Sequence, residues 1–236
     1  MRWFLILSLL LVTGCASLPD RPQQALDPAQ EASRRQAEIA VQRFLEVVKT
    51  VQPVAEQECR RRASAVNCTF QIVIDDRPNQ QPNAFQTTDR RGRPVLAFNI
   101  PLIATVRNAD ELAFVMGHEA AHHIEGHIGR TRQSAIAGAV ILSGLASLTG
   151  ATADEVRGAE EFGAAVGARR YSKDFELEAD TLGTVIAWRA GYDPILGAKF
   201  FNTLPDPGDI FLGSHPPNAE RIRRVHQTVK ALKSAP

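Results

Sequence analysis

The chain has 236 residues, 44% hydrophobic and 22% charged, with 27 basic against 26 acidic side chains. That length is one domain's worth once a leader is removed. A net charge of +1 gives no footprint for a nucleic acid and excludes charge as the means of holding a membrane.

Residues 1–14 read as an export signal. Arg2 supplies a positive start, and Trp3 to Val12 form an apolar run too short to span a bilayer but right for a signal core. The run ends Val12-Thr13-Gly14-Cys15, which resembles a bacterial lipobox, so Cys15 is expected to carry lipid. The rival is an ordinary signal peptide with an incidental cysteine. Ala16, not Asp, follows the cysteine, which resembles the outer-membrane sorting pattern of bacterial lipoproteins. Several acyl chains on one cysteine anchor durably, where a single chain binds only marginally. Residues 15–28 then form the lipidated cysteine and a tether rich in Pro, Gln and Asp. Residues 29–236 make one domain.

The spacing of Ala37, Ala40, Val41, Phe44, Leu45 and Val48 predicts a helix over 28–50 with those residues as its apolar face. A second short helix is expected over Val54 to Arg62, with Arg60-Arg61-Arg62 as a solvated face. Beyond the lipidated Cys15, two cysteines remain, Cys59 and Cys68, and in an exported chain such a pair favours a disulfide. Closing so short a loop contributes roughly 2–3 kcal/mol in the entropy model. A zinc role for this pair is the weaker alternative, since it lacks CxxC spacing and has no histidine nearby. Phe70, Ile72 and Ile74 alternate as in a half-buried strand. Asn83 to Thr88 and Pro94 to Phe98 flank Asp89-Arg90-Arg91-Gly92-Arg93, a hairpin with a glycine-containing turn. A helix through Leu102 to Val106 follows.

Asn108 stands three residues before Glu111, a capping-box arrangement. Leu112, Val115, Met116 and Ala120 then recur at helical spacing, so a helix is expected from about Ala109 past His123. It carries His118-Glu119-Ala120-Ala121-His122. Residues four apart share a helix face, so His118 and His122 aim two imidazoles at one ion, with Glu119 beside them as a base. This is the zinc-hydrolase signature. An ion so held lowers the pKa of its water toward about 7. The longer metzincin pattern is absent: it needs Gly at 125 and His at 128, where the chain has Glu125 and Ile128. The third ligand lies elsewhere.

From here the chain reads as almost wholly helical. Residues 134–168 are rich in Ala, Gly and Ser and too short for a span on each side. They are expected to form a tightly packed helical hairpin beside the site, with a membrane-facing or partner-facing hairpin or a lid as alternatives. Downstream, Glu176 and Asp180 share one helical face while Glu178 points elsewhere. Glu176 suits the third ligand, and Asp180 suits the carboxylate that a metal-bound histidine hydrogen-bonds through its other nitrogen. Gly213-Ser214-His215-Pro216-Pro217 reads as a loop, and Pro216 biases His215 to an extended backbone.

Together these motifs resemble peptidase family M48, the gluzincins. The match runs over roughly 35–233. It rests on Asn83-Ala84-Phe85, Glu111 to Val115, His118 to His122 with the trailing His127, and the apolar insert. It continues through Tyr171-Ser172-Lys173, Glu176 to Asp180, Gly191 to Pro194, and His215-Pro216-Pro217 with Arg221. The resemblance implies an α+β, mainly α-helical, zincin-like fold with a small sheet or hairpin next to the HExxH helix. It implies one Zn²⁺ per chain on His118, His122 and Glu176, with Asp180 behind them and Glu119 as general base. Asn83, Ala84 and Phe85 are then an edge strand that pairs with extended substrate. His215 then occupies the fourth zinc position in a latent resting state, or hydrogen-bonds the oxyanion once displaced. The chain resembles the short lipoprotein members, which implies the bacterial periplasm and a lipid anchor in the outer membrane. The function implied is a zinc metalloendopeptidase acting on unfolded or misassembled envelope proteins. The alternative is a chaperone-like assembly or quality-control factor with a plugged site. An assembly-machinery partner or an oligomer stays open.

Overall fold

A computed structural model describes residues 27–208 and 215–234. The expected signal, Cys15 and nearly all of the tether lie outside the described residues. The fold is mainly helical, with a three-stranded sheet on one flank among those residues.

Helix α1 (Pro28–Arg62) begins under a full capping box: Asp27 accepts from Gln30, whose side chain accepts from the Asp27 amide. Its first turns, through Ile39, are exposed. Two helices were expected here, and the structure has one. Pro53 removes one backbone hydrogen bond, but it sits on the solvent side, as does Lys49, whose carbonyl loses that partner. The buried stripe Val47, Val51, Ala55 and Cys59 runs through it unbroken. That stripe also corrects the expected apolar face. Phe44 is buried and Ala40 and Val48 are partly so, whereas Ala37, Val41 and Leu45 face solvent.

Cys59 and Cys68 form a disulfide, with Cα atoms 5.6 Å apart. It ties the end of α1 to the strand that follows. Arg60, Arg61 and Arg62 are solvated and pair with Glu56 and Glu58. Strand β1 (Gln71–Asp75) lies parallel to β3 (Pro94–Asn99), and β2 (Ala84–Thr88) lies antiparallel on the other side of β3. The β2–β3 hairpin is the one expected, with Gly92 at φ +72° in its turn. Along β1 the alternation fails at its end: Phe70 is buried but Ile74 is 52% exposed, because no described element covers this edge strand there.

Buried Asn99 joins the sheet to the helices. Its side-chain oxygen accepts from the amides of Asn83 and Leu102, and its amide donates to the Gln81 carbonyl. It thereby fixes the start of β2 and caps α2 (Ile100–Thr105).

Helix α3 (Ala109–Ile124) is the hub, with every residue from Glu111 to Ala121 buried. A helix buried all round belongs at a centre. α1, α6 (Ser172–Arg189), α7 (Pro194–Gly197) and strands β2 and β3 pack on it. Asn108 caps it by accepting from Glu111, while the Glu111 carboxylate takes the Arg107 amide and guanidinium instead of completing a box. Helices α4 (His127–Leu148) and α5 (Ala153–Arg170) form the expected hairpin. A 3₁₀ turn (Ala198–Thr203) follows α7, and α8 (Asn218–Ser234) closes over α6.

Candidate metal centre

α3 and α6 touch backbone to backbone. A Cβ on Gly117 would stand 2.7 Å from the Gly183 carbonyl, and one on Gly183 would stand 2.8 Å from the His118 amide. With no side chain between them, the helices cross closely enough for His118 and His122 to meet Glu176 and Asp180.

The expected ligands converge. His118 Nε2 lies 3.0 Å from His122 Nε2 and 3.5 Å from Glu176 Oε2, and His122 Nε2 lies 3.4 Å from Glu176 Oε1. Four atoms bound to zinc at about 2.0–2.1 Å in a tetrahedron sit about 3.3 Å apart. The three donors are thus spaced close to what one tetrahedral ion requires, with the two histidines slightly nearer than its edge length. Three protein donors are the number a catalytic zinc site supplies, where structural sites close with four. Glu119 is buried beside them and lines the same cleft.

Asp180 is fully buried and sits where the spacing expected it, with Oδ1 3.0 Å from His118 Nδ1. Its other partner carried no role in the sequence reading. Arg221, in the first turn of α8, donates to both Asp180 oxygens at 2.8 and 2.7 Å and reaches Glu176 Oε2 at 3.1 Å. Its guanidinium lies over the Phe201 ring at 4.0 Å. Burial opposes the charge on Asp180, but Arg221 and His118 outweigh it and hold the carboxyl below its ordinary value. Burial likewise opposes Glu176, and hydrogen bonds from His118, His122 and His215 hold it well below. Burial disfavours charge on His118, yet the bonds to Asp180 and Glu176 push it up to about 10. The cluster thus calls for positive charge at the point where a metal would supply it.

Gly126, at φ +69°, ends α3 and turns the chain into α4. Only glycine takes that backbone freely. The turn folds buried His127 back onto His122, with the two Nδ1 atoms 2.8 Å apart. His127 Nε2 lies 3.1 Å from Glu178 Oε2, and Arg130 pairs with that same carboxylate. Burial, only partly offset by Glu178, pushes His127 down to about 4. Glu178 points away from the ligands, as expected. His123 also turns away, to the Asn67 carbonyl at 2.8 Å.

The centre opens into a cleft of about 740 Å³. Five successive residues, 82–86, line it, with Asn83, Ala84 and Phe85 among them. Successive strand residues point to opposite faces, so a continuous lining means that β2 presents its edge. Among the described residues that edge is unpaired, since β2 pairs there with β3 alone. Ile128, Thr131 and Ala135 of α4 form another part of the wall. His215 stands at the mouth, about half exposed, with Nδ1 3.2 Å from Glu176 Oε2. It touches a ligand residue without joining the three-donor cluster.

The description of peptidase family M48 matches residues 42–229, a span that includes every residue of the centre. The chain belongs to peptidase family M48. Two relatives sharpen the comparison. The putative beta-barrel assembly-enhancing protease of Vibrio cholerae is 30% identical over 161 residues, covering 60% of this chain and 32% of that protein. The beta-barrel assembly-enhancing protease of Yersinia pestis is 26% identical over 197 residues, covering 74% of this chain and 37% of that protein. The chain thus spans about a third of the length of the curated relatives it matches. The M48 match covers the expected mainly helical α+β domain of this chain, with its small sheet beside the HExxH helix.

Proposed function

We propose that this M48 domain is a zinc-dependent metalloendopeptidase of the bacterial envelope. The observation that carries the proposal is the three-donor centre of His118, His122 and Glu176, with Glu119 beside it in a cleft bordered by a free strand edge. One zinc, when bound by these three residues, polarises a scissile carbonyl and acidifies a water. Glu119 accepts the proton of the attacking water and passes it to the leaving amine. Asp180 orients His118 and is itself held by Arg221. The β2 edge at Asn83, Ala84 and Phe85 pairs with a substrate backbone. That mode reads main chain rather than sequence, which suits unfolded or misassembled envelope proteins. Both relatives are named as beta-barrel assembly-enhancing proteases, which supports an assembly-machinery partner. A lipid on Cys15 would hold the enzyme to the outer membrane from the periplasmic side.

Glu119→Gln tests the chemistry. Zinc should stay bound at one ion per chain, measured by metal analysis, while hydrolysis of an unfolded protein falls at least about 100-fold. Full activity in this variant sinks the assignment.

One observation supports a second reading, a latent or chaperone-like factor. His215 already contacts the Glu176 carboxylate at the cleft mouth. His215→Ala should raise basal proteolysis if the imidazole mainly plugs the centre, and lower it if it mainly stabilises the oxyanion. Unchanged proteolysis rejects both roles.

A further inference from the structure

The two histidine ligands are supported differently. His118 meets a carboxylate directly: Asp180 Oδ1 is 3.0 Å from its Nδ1, with Arg221 behind. No carboxylate contacts His122 Nδ1 among the described hydrogen bonds and ion pairs. Its partner there is His127 Nδ1, at 2.8 Å. Two imidazole nitrogens share a hydrogen bond only if one carries the proton and the other accepts it. With His122 Nε2 directed at the ligand cluster, its Nδ1 holds the proton and His127 Nδ1 accepts. His127 then carries its own proton on Nε2 and donates to Glu178 Oε2 at 3.1 Å. Arg130 grips both oxygens of Glu178, sharing Oε2 with His127.

The His127 ring is not free to turn. It stacks on Phe175 with centroids 4.7 Å apart and planes at 10°. Arg130 covers the same phenylalanine at 4.2 Å. The ring is 4% exposed. Its direction is thus set by packing on one side and by Glu178 at its tip.

We propose that His127 is a positioning residue for His122, the middle of a chain that runs His122, His127, Glu178, Arg130. It performs for one ligand what Asp180 and Arg221 perform for the other, with an imidazole interposed. The inference rests on the zinc reading of the centre. It also gives work to Glu178, which lies two residues from one functional carboxylate and two from the other yet contacts no ligand. Ligands oriented in this way hold their metal about 10–100-fold more tightly than the same ligands left unsupported.

The test is metal affinity and release, read without substrate. Zinc is titrated into the full metal-free chain, and its release to a chromogenic chelator is timed. The Co²⁺ visible spectrum reports ligand geometry. His127→Ala should weaken zinc about 10–100-fold and speed its release. His127→Phe keeps the stack on Phe175 but cannot accept the proton, so it should weaken zinc like alanine. His127→Gln, whose amide both accepts and donates, should recover part of the loss. Glu178→Gln alters a side chain that is 39% exposed, so the fold should tolerate it, and release should still quicken. Wild-type affinity in His127→Phe would mean that the ring only packs, and would overturn the proposal. Unchanged release in Glu178→Gln would overturn it as well. Failure of the zinc reading itself looks different: the unsubstituted chain would then bind no stoichiometric zinc, and the inference would fall with it.

Discussion

The α3–α6 pair and the α4–α5 hairpin are built with the same device and put to opposite ends. In both, two helices approach until their backbones touch at glycines: Gly117 and Gly183 in the first, Gly138, Gly163 and Gly167 in the second. Around the first contact the neighbouring positions carry buried polar groups, His118, Glu176 and Asp180 among them. Around the second they carry small side chains, and the outer face of α4 is left uncovered, with Val140 and Ile141 each 65% exposed. Close helix contact is therefore a generic means of bringing backbones together. What it produces depends on which side chains stand a turn away and whether other elements cover them.

The sharpest way to break this comparison is to spoil each contact in turn. An added methyl at Gly183 meets backbone atoms of α3, which cannot swing aside. Gly183→Ala should cost about 1–3 kcal/mol or more and abolish high-affinity zinc binding, because the ligands separate with the helices. Gly163→Ala meets the backbone of Gly138 just as directly, yet the hairpin packs mainly on itself and only lightly on α3 and α6. Its loss should stay local: faster amide exchange in α4 and α5, with zinc affinity nearly unchanged. Zinc titration and hydrogen exchange on both variants check this. Equal loss of zinc in the two would erase the distinction.

A smaller effect follows from charge. In the metal-free chain His118 is held up at about 10. A raised histidine contributes stability that is fully present below its unfolded value of about 6.5 and is lost as pH rises through about 10. Glu176 and Asp180 are depressed, so their contribution is present above the ordinary carboxylate range and is lost as pH falls below it. The metal-free α3–α6 pair should thus be most stable between roughly pH 4.5 and 6.5. Zinc displaces the His118 proton, so the alkaline decline should vanish in the loaded protein. Thermal melts with and without chelator, from pH 6 to about 10, would reveal this. A metal-free protein with flat stability over that range would contradict the charge assignment.

Much of the centre was legible in sequence because helical spacing is local information. His118 and His122 are four positions apart, as are Glu176 and Asp180, so each pair could be put on one face before any fold was known. The grip of Arg221 on Asp180 could not be read this way, since the two are 41 positions apart and the packing of α8 on α6 joins them. His127 was visible as a trailing histidine, but its direction depends on the backbone at Gly126. The continuous α1 was missed because Pro53 normally ends a helix. Which side of Pro53 faces water is a tertiary fact. The glycine contact beneath the whole arrangement left a trace in Gly117 and Gly183, though nothing local paired them.

The smallest effect sharpens the comparison most from the other side. The exposed stripe on α4 ends at Leu148, which is 88% exposed. No helix among the described residues is long and apolar enough to cross a membrane, so this face is an apolar surface on a hairpin rather than a span. If it is free in dilute solution, replacing Leu148 removes no packing. Leu148→Ser should then change unfolding free energy by no more than about 0.5 kcal/mol and leave zinc affinity untouched. The same serine at Leu112, fully buried in α3, would cost several times that, on the order of 2–5 kcal/mol. Denaturant melts of Leu148→Ser at two protein concentrations give the reading. A loss above about 1 kcal/mol, well beyond what a free surface position gives, would mean that the stripe is covered in solution after all. The hairpin would then resemble the α3–α6 pair in burial as well as in construction, and the contrast between the two regions would have to be redrawn.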